Sequence, residues 1–533
     1  MKLPDCREMQ ALDSAAINDF HIPGIVLMEN AGLGTVRMIE NHCGSCEGTF
    51  AIIFIGPGNN GGDGLVIGRH LHQRGCLPIF FFLVPPETLK GNAAVNLRIV
   101  QKLNLPFHLI NRCSLVEKVP ALIERSRKTN RPCCAVIDAI FGIGLKREVE
   151  SHFAAAIRLI NRRDFSGTST VVAVDTPSGL DSNTGKPLGT CVKADFTATY
   201  CCAKPGHFVH GGSPWTGQLE VIDIGIPPET VRHADIRTEL LTGKTFKQIS
   251  SNLPRKKTCH KGDHGHLLIL AGSAGKTGAA ILAARGGLRS GAGLVSVFAP
   301  SNLTSIYEIS LIEAMTISLP QSRDFFLLDD LESIMENMAG KEALIVGPGL
   351  GTDKSTIELV LHLYHQATCP LILDADAINC LALSIDHLGP PAGPRILTPH
   401  PGELSRLINR STENVQNNRI ESAVEACNLF KNPDHDIIMV LKGAGTLITT
   451  SGGYTFINRS GNPGMAAAGM GDVLSGVIGA LICQGMSVCS GSNAGVFLHG
   501  CAGDALYRQS GHGYTATELA DRIPLALKEL LHR

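Results

Sequence analysis

The sequence predicts two consecutive α/β domains, each a mostly parallel sheet covered by helices. Three observations carry that prediction. Short aliphatic runs such as Phe50–Ile55 and His266–Leu270 recur along the chain, and nearly every one breaks into a Gly, Asp or His motif before a helical pattern begins. The 533 residues exceed what one hydrophobic core organises. A hydrophobic content of 44%, with 58 glycines and one tryptophan, suits glycine-rich turns between buried aliphatic strands.

Charge and cysteine content narrow the class of function. The 47 Lys and Arg residues balance 48 Asp and Glu to a net charge of -1, which leaves no electrostatic case for nucleic acid or an anionic membrane. The 17 cysteines are scattered, and the neighbours Cys133-Cys134 and Cys201-Cys202 sit in apolar segments, as reduced core thiols do. Cys43-Gly-Ser-Cys46 is the one close CxxC, and no second pair at zinc spacing follows it. The first residues lack the apolar core of a signal peptide, and no run nears the roughly 20 apolar residues of a membrane helix. A cytoplasmic protein acting on small molecules is expected, with neither nucleic acid nor membrane as partner and a homo-oligomer as its assembly.

In the N-terminal half, Met9–Met38 has helical spacing and Phe50–Ile55 is the first strand. That strand runs into Gly56-Pro57-Gly58-Asn59-Asn60-Gly61-Gly62-Asp63-Gly64, ahead of a helical pattern over Leu65–Gln73. Gly56, Gly58 and Gly61 have the spacing of a dinucleotide fingerprint. Two features oppose that reading: Asp63 puts negative charge where a pyrophosphate sits, and the second strand, Ile79–Val84, ends in Pro85-Pro86 in place of a ribose-binding acid. A polar pocket for a cation or a neutral ring amide fits better. Strands ending at Asp138 and Asp175 bring those residues and Ser178 to one sheet edge, where loops converge on a crevice. Asn60, Asp138 and Ser178 there offer oxygen ligands for a hard cation; each aspartate read alone is more readily a turn cap, and the three strand ends together favour a site. The strand Phe196–Tyr200 leads to Lys204, placed to meet Asp175. Leu219–Ile224 closes the series, and the polar stretch from Pro227 to Lys261 marks the domain boundary.

The C-terminal half repeats the pattern. Strands are expected at His266–Leu270, Leu294–Phe298, Ala343–Val346, Pro370–Leu373, Arg395–Leu397 and Ile437–Leu441. Gly275-Lys276-Thr277 looks like half a phosphate loop, but a full loop needs glycine where Leu270 stands. His400, between a strand and Pro401-Gly402-Glu403, is expected in a pocket, and no HExxH spacing supports zinc. The segment Ser460–Asp472 supplies three glycines and small side chains ahead of the apolar run Val473–Ile482. Backbone N–H groups of such a loop approach an anion, and Asp472 stands at the helix start as a base for a hydroxyl or as a cap.

Two resemblances follow from these motifs. Leu27-Met28-Glu29-Asn30-Ala31-Gly32, the Asn-Asn-Gly-Gly-Asp-Gly segment, Asp138 with its Gly-x-Gly, Val174-Asp175-x-Pro-Ser-Gly and Lys204-Pro-Gly together resemble the NAD(P)H-hydrate epimerases over about residues 1–230. The resemblance implies a Rossmann-like three-layer domain. It implies that Asn59-Asn60-Gly61-Gly62-Asp63, Gly142-Ile143-Gly144-Leu145-Lys146-Arg147-Glu148 and Asp175 hold hydrated NADH or NADPH, and that Asn60, Asp138 and Ser178 bind potassium (K+). Asp175 and Lys204 are the candidates for proton handling.

Lys-Gly-Ala-Gly-Thr, Thr-Pro-His-Pro-Gly-Glu, Gly-Pro-Gly-Leu-Gly and Ala-Gly-x-Gly-Asp resemble the NAD(P)H-hydrate dehydratases over residues 231–533, which implies a ribokinase-like α/β domain. By that resemblance Lys442-Gly443-Ala444-Gly445-Thr446 and Gly471 hold ADP, with ATP as the alternative, together with Mg2+. Ala279, Gly349, His400 and Asp472 face the hydrate, and Asp472 is the base. The chain departs from the family pattern at Met470, where threonine is usual, at Lys276 and at His264. Two rivals stand at this stage: a ribokinase-like small-molecule kinase with a stable phosphorylated product, and an N-terminal domain that binds without catalysis.

Overall fold

A parallel sheet packed between helix layers buries its strands on both faces, and Phe50–Ile55 (β1) is buried at all 6 positions. Ala51, Ile53 and Ile55 enter one apolar cluster while Phe50, Ile52 and Phe54 enter another, so the two faces meet separate helix layers. The computed structural model describes residues 1–532 apart from 128–130, 166–169, 210, 211, 254, 256 and 431, and divides at Lys2–Thr238 and Glu239–Arg533, with Met1 joining the latter.

Among the described residues of the first unit, β1, Leu77–Phe82 (β2), Phe107–Leu109 (β3), Cys133–Ala139 (β4), Thr170–Val174 (β5), Phe196–Tyr200 (β6) and Gln218–Ile222 (β7) make a seven-stranded sheet. Its order is β3-β2-β1-β4-β5-β6-β7, parallel throughout. All loops after the strands therefore leave from one edge.

Two local differences from the sequence expectation have packing causes. Met9–Met38 is two helices, Cys6–Asn18 and Gly24–Cys43, and Asp5 caps the first through the Arg7 and Glu8 amides. The helix expected from Leu65 begins at Asn59, so Gly61, Gly62 and Asp63 belong to its first turns. A Cβ on Gly61 would lie 2.4 Å from the Gly56 carbonyl oxygen, and one on Gly64 2.6 Å from Ala139 Cβ. These glycines let the helix press on the strand ends, which outweighs their poor helix propensity. Gly56 itself sits where a Cβ would be 1.8 Å from the Ile140 carbonyl oxygen. Glycine spacing that mimics a phosphate fingerprint thus serves strand and helix contact.

The second sheet, among the described residues, contains Thr238–Leu240 (β8), which begins at the division, and His266–Leu270 (β9), Leu294–Pro300 (β10), Met315–Leu319 (β11), Ala343–Val346 (β12), Leu371–Leu373 (β13), Arg395–Leu397 (β14), Ile437–Leu441 (β15), Thr446–Thr450 (β16) and Thr455–Asn458 (β17). Their order is β11-β10-β9-β12-β13-β14-β15-β16-β17-β8. Strands β9 to β15 run parallel, and β16 and β17 add antiparallel neighbours. The sequence pattern misses β8, β11, β16 and β17, whose threonines and other polar residues make a mixed rather than an apolar run.

Helices Thr277–Arg289 and Met470–Cys483 approach closely enough to touch backbone to backbone. A Cβ on Gly476 would stand 2.1 Å from the Ala283 carbonyl oxygen, and one on Gly286 2.5 Å from that of Val473. This contact fixes how far the first turn of Met470–Cys483 reaches over the sheet edge. We expect Gly476→Ala to destabilise the second unit by about 1–3 kcal/mol through overpacking, lowering its denaturant midpoint while the transition of the first unit stays in place.

Candidate active sites

At the edge of the first sheet lies a cavity of about 660 Å³. Asn59, Asn60, Asp63, Asp175, Tyr200 and Lys204 line it, with Gly142, Ile143, Gly144, Leu145, Lys146 and Arg147 forming a wall. Three expected residues stand apart from it: Gly61 and Gly62 face the Gly56 carbonyl and Met28, and Glu148 is exposed outside the lining. They are committed to packing or to solvent.

Asp175 follows β5 with φ 63°, left-handed backbone that is costly for a residue with a side chain. Its amide donates to the Ala198 carbonyl at 2.7 Å, which ties the strained turn to the neighbouring strand. Lys204 is 1% exposed and donates from Nζ to Asp175 Oδ1 at 2.5 Å, to Thr199 Oγ1 at 2.8 Å and to the Tyr200 carbonyl at 3.3 Å. Burial alone pushes the Asp175 carboxyl up, but the Lys204 ammonium outweighs it and holds the carboxyl below its usual value. Two further carboxyls respond in the opposite sense. Asp13 is pushed up to about 6 by burial and by Asp175, and Asp63 is raised well above the usual range by burial, Asp175 and Asp13. The cavity thus pairs one ionised carboxylate with groups that hold protons.

Asp138 and Ser178 meet, but outside the cavity lining. Ser178 Oγ donates to Asp138 Oδ1 at 2.6 Å, its amide donates to Oδ2 at 2.8 Å, and Phe141 N donates to Ser178 Oγ at 2.8 Å. The pair therefore pins the start of the Gly142–Arg147 wall. Burial lifts Asp138 to about 6 against the hydrogen bonds from Ser178. Asn60 is different: both Nδ2 and Oδ1 are buried without a hydrogen-bond partner. A Cβ on Gly142 would lie 3.2 Å from Asn60 Oδ1 and 3.4 Å from Asp175 Oδ2, so this amide and the paired aspartate both border Gly142. An orphaned buried amide of that kind fits an oxygen-coordinated cation or a polar ligand.

In the second unit, β13, β14 and β15 deliver Asp374, His400 with Glu403, and Lys442 to adjoining loop starts. Lys442 Nζ donates to Asp374 Oδ1 at 2.7 Å and stands 4.0 Å from Glu403 Oε2. Burial lowers the lysine's pKa, but Asp374 and Glu403 carry it above its usual value. Asp374 also accepts from Ser475 Oγ at 2.7 Å and from the Ala375 amide at 2.9 Å. A Cβ on Gly471 would lie 3.3 Å from Lys442 Nζ. The carboxylate of Asp472, one residue on, makes no hydrogen bond among the described residues, and burial, reinforced by Asp374, pushes it up to about 7.

Adjoining this cluster, Gly349 adopts φ 62°, where a Cβ would lie 3.1 Å from Ala279 Cβ and 3.0 Å from the Lys276 carbonyl. Lys276 forms an ion pair with Asp376 at 3.3 Å. His400 caps its helix by accepting from the Gly402 and Glu403 amides. The loop Lys442–Thr446 is closed by Thr446 Oγ1 donating to the Gly443 carbonyl. Met470 turns its side chain into the apolar cluster with Phe246 and Leu498, away from solvent. Thr199, Ser475, Asp13 and Arg419 escape a sequence reading, although the last two do leave a signal. Each lies on the buried stripe of its helix: Asp13 with Met9, Leu12 and Ala16, and Arg419 with Ser422, Ala423, Ala426 and Cys427.

Comparison with known proteins agrees with this division. The family model for the YjeF-related protein N-terminus matches residues 24–206, and that for NAD(P)H-hydrate dehydratase matches residues 267–525. A bifunctional NAD(P)H-hydrate repair enzyme of Moorella thermoacetica is 40% identical, over 99% of this chain and 97% of its own length. The enzyme of the same description from Escherichia coli K12 is 31% identical, over 88% and 83%. Among solved structures, ADP/ATP-dependent NAD(P)H-hydrate dehydratase from Bacillus subtilis, co-crystallised with ATP and Mg2+, is 31% identical with a TM-score of 0.47, covering 55% of this chain and 98% of that one.

The raised Asp472 carboxyl has a measurable linkage. The folded protein keeps its proton to about pH 7 whereas the ordinary carboxyl loses it near 3.8, so this residue lowers stability as pH rises through that window. Asp472→Asn removes the effect. The denaturation midpoint of the variant relative to the unsubstituted protein should climb between about pH 4 and pH 7 and level off above; a flat difference contradicts the assignment.

Proposed function

The chain belongs to the bifunctional NAD(P)H-hydrate repair enzymes, and from that premise we propose how its two sites divide the work. The enzyme interconverts the R and S hydrates of NADH and NADPH and dehydrates the S form to the intact cofactor. One chain thereby clears both epimers.

The first-unit cavity takes the hydrated nicotinamide. Asp175 and Lys204 exchange protons with the substrate as the C6 hydroxyl changes face, and the low pKa of Asp175 leaves it ionised for that role. Asn60, whose amide oxygen lacks a partner, supplies the ligand that best fits K+, with Asp138 and Ser178 as further oxygens. A bound potassium ion supplies fixed positive charge beside the substrate.

In the second unit, Lys442–Thr446 and Gly471 hold ADP or ATP, while Ala279, Gly349, His400 and Asp472 face the S hydrate. Asp472 takes the proton from the C6 hydroxyl as its oxygen attacks the terminal phosphorus; AMP leaves when ADP is the donor. Loss of the phosphate from C6 with a proton from C5 then restores the double bond. Mg2+ accompanying the nucleotide neutralises charge on its phosphates. The observation that carries this reading is the Asp472 carboxylate, free of hydrogen bonds among the described residues and beside the paired Lys442. The reading extends to a cytoplasmic homo-oligomer, and light scattering of the purified chain tests the assembly.

The decisive experiment follows absorbance at about 340 nm, the reduced-cofactor band, in a mixture of R and S hydrates with ADP, ATP or neither. Complete nucleotide-dependent recovery is expected. Asp472→Ala should abolish dehydration and spare epimerisation, and Lys204→Met should stop recovery at the S fraction. Loss of both activities in either folded variant contradicts two separate sites. Dehydration should also rise with pH through about 7, as Asp472 becomes the free base. For the cation, potassium should raise the thermal midpoint of the unsubstituted protein more than sodium does, and Asn60→Leu should erase the difference.

A further inference from the structure

We infer that Arg419 is the positioning residue of the nucleotide loop, turning the Lys442–Thr446 backbone toward the phosphates and supplying the uncompensated positive charge behind it. This inference rests on the assignment of that loop to ADP or ATP.

Arg419 is 4% exposed at the start of the helix Arg419–Leu429. That is an unfavourable place for a cation, because burial strips its water and the helix N-terminus is itself partly positive. Its Nη2 donates to the carbonyls of Leu441 at 3.2 Å, Lys442 at 3.3 Å and Gly445 at 3.3 Å, and Nη1 donates to Gln416 Oε1 at 3.0 Å. All four acceptors are neutral, and no carboxylate pairs with it among the described residues. Nε has no hydrogen-bond partner among the described residues. Burial lowers the guanidinium pKa only to about 10, so the charge is present at neutral pH.

The more visible cation of the loop, Lys442, is by contrast already matched by Asp374 and faces Glu403. Arg419 and its helix end therefore supply the positive charge at the loop that no carboxylate pairs among the described residues. Backbone geometry adds direction. In a planar trans peptide the carbonyl and the following N–H point opposite ways, so a Lys442 carbonyl turned to Arg419 turns the Gly443 N–H away from it. Gly443 and Ala444 N–H groups have no acceptor among the described residues, which leaves two successive donors for an anion. At Gly443 the φ is 135° and a Cβ would lie 3.1 Å from Arg419 Nη1, so glycine is required for this arrangement.

The test compares Arg419→Gln and Arg419→Lys with the unsubstituted full-length enzyme, using ADP and ATP as the probes. Three quantities are read: KM and kcat for the nucleotide in S-hydrate dehydration, the nucleotide-dependent rise in thermal midpoint, and the nucleotide-free midpoint of the second unit as a check on folding. Arg419→Gln should raise the nucleotide KM by about tenfold or more with kcat changed far less, and lose most of the midpoint rise. Arg419→Lys keeps the charge but not the fork, and should fall between the two. Should the glutamine variant not fold, the lysine variant decides: a raised KM supports the inference and an unchanged KM overturns it. An unsubstituted enzyme that responds to nucleotide while both variants keep its KM overturns the role of Arg419 alone. An unsubstituted enzyme indifferent to both nucleotides overturns the loop assignment and this inference with it.

Discussion

In each unit a lysine is held against an aspartate at the ends of parallel strands with one partner fully buried, Lys204 on Asp175 and Asp374 under Lys442. Removing two charges from water costs several kcal/mol per ion and is tolerated only where the geometry satisfies both partners. Here it does. Lys204 finds three acceptors, and Asp374 accepts from Lys442, Ser475 and the Ala375 amide. The lysine and aspartate of each pair come from different loops, after β5 and β6 in one unit and β13 and β15 in the other. Such loops share an edge only because the strands run the same way. Sheet direction is therefore the constraint on which both sites depend.

The same pairs sort the remaining acids. A carboxylate that holds a lysine is kept ionised, as Asp175 is, whereas buried carboxyls without such a partner are driven toward the neutral form. Asp13, Asp63 and Asp472 all follow the second course. One rule of solvation thus yields an ionised group beside proton carriers in the first site, and a base poised near neutrality in the second.

Much of this was legible in the chain, and the limits have physical causes. Strands β1, β6, β9, β12, β14 and β15 begin and end as expected, because runs buried on both faces give way abruptly to a turn motif of small or polar residues. Edge strands such as β11 lack that contrast. Residues that follow a strand directly, among them Asp175, His400 and Lys442, stand out for the same reason. Thr199 and Ser475 lie inside a strand and a helix, where a small hydroxyl reads as ordinary filling. Asp138 and Ser178 were placed at a common edge correctly, but only the fold reveals that they bond to one another and brace the cavity wall. Glycines before a helix were the most ambiguous signal, since close packing and anion binding call for the same residue.

Met470 ties family divergence to the interior of the protein. Its side chain fills space among Phe246, Leu498, Tyr514 and Leu519, one residue ahead of the glycine beside Lys442. Exchanging it for the threonine usual in the family shortens a packed side chain and leaves a void and a buried hydroxyl together. A shorter residue here therefore demands a different enclosure, and a chimera that replaces Met470 keeps its integrity only when the helices that enclose it change as well.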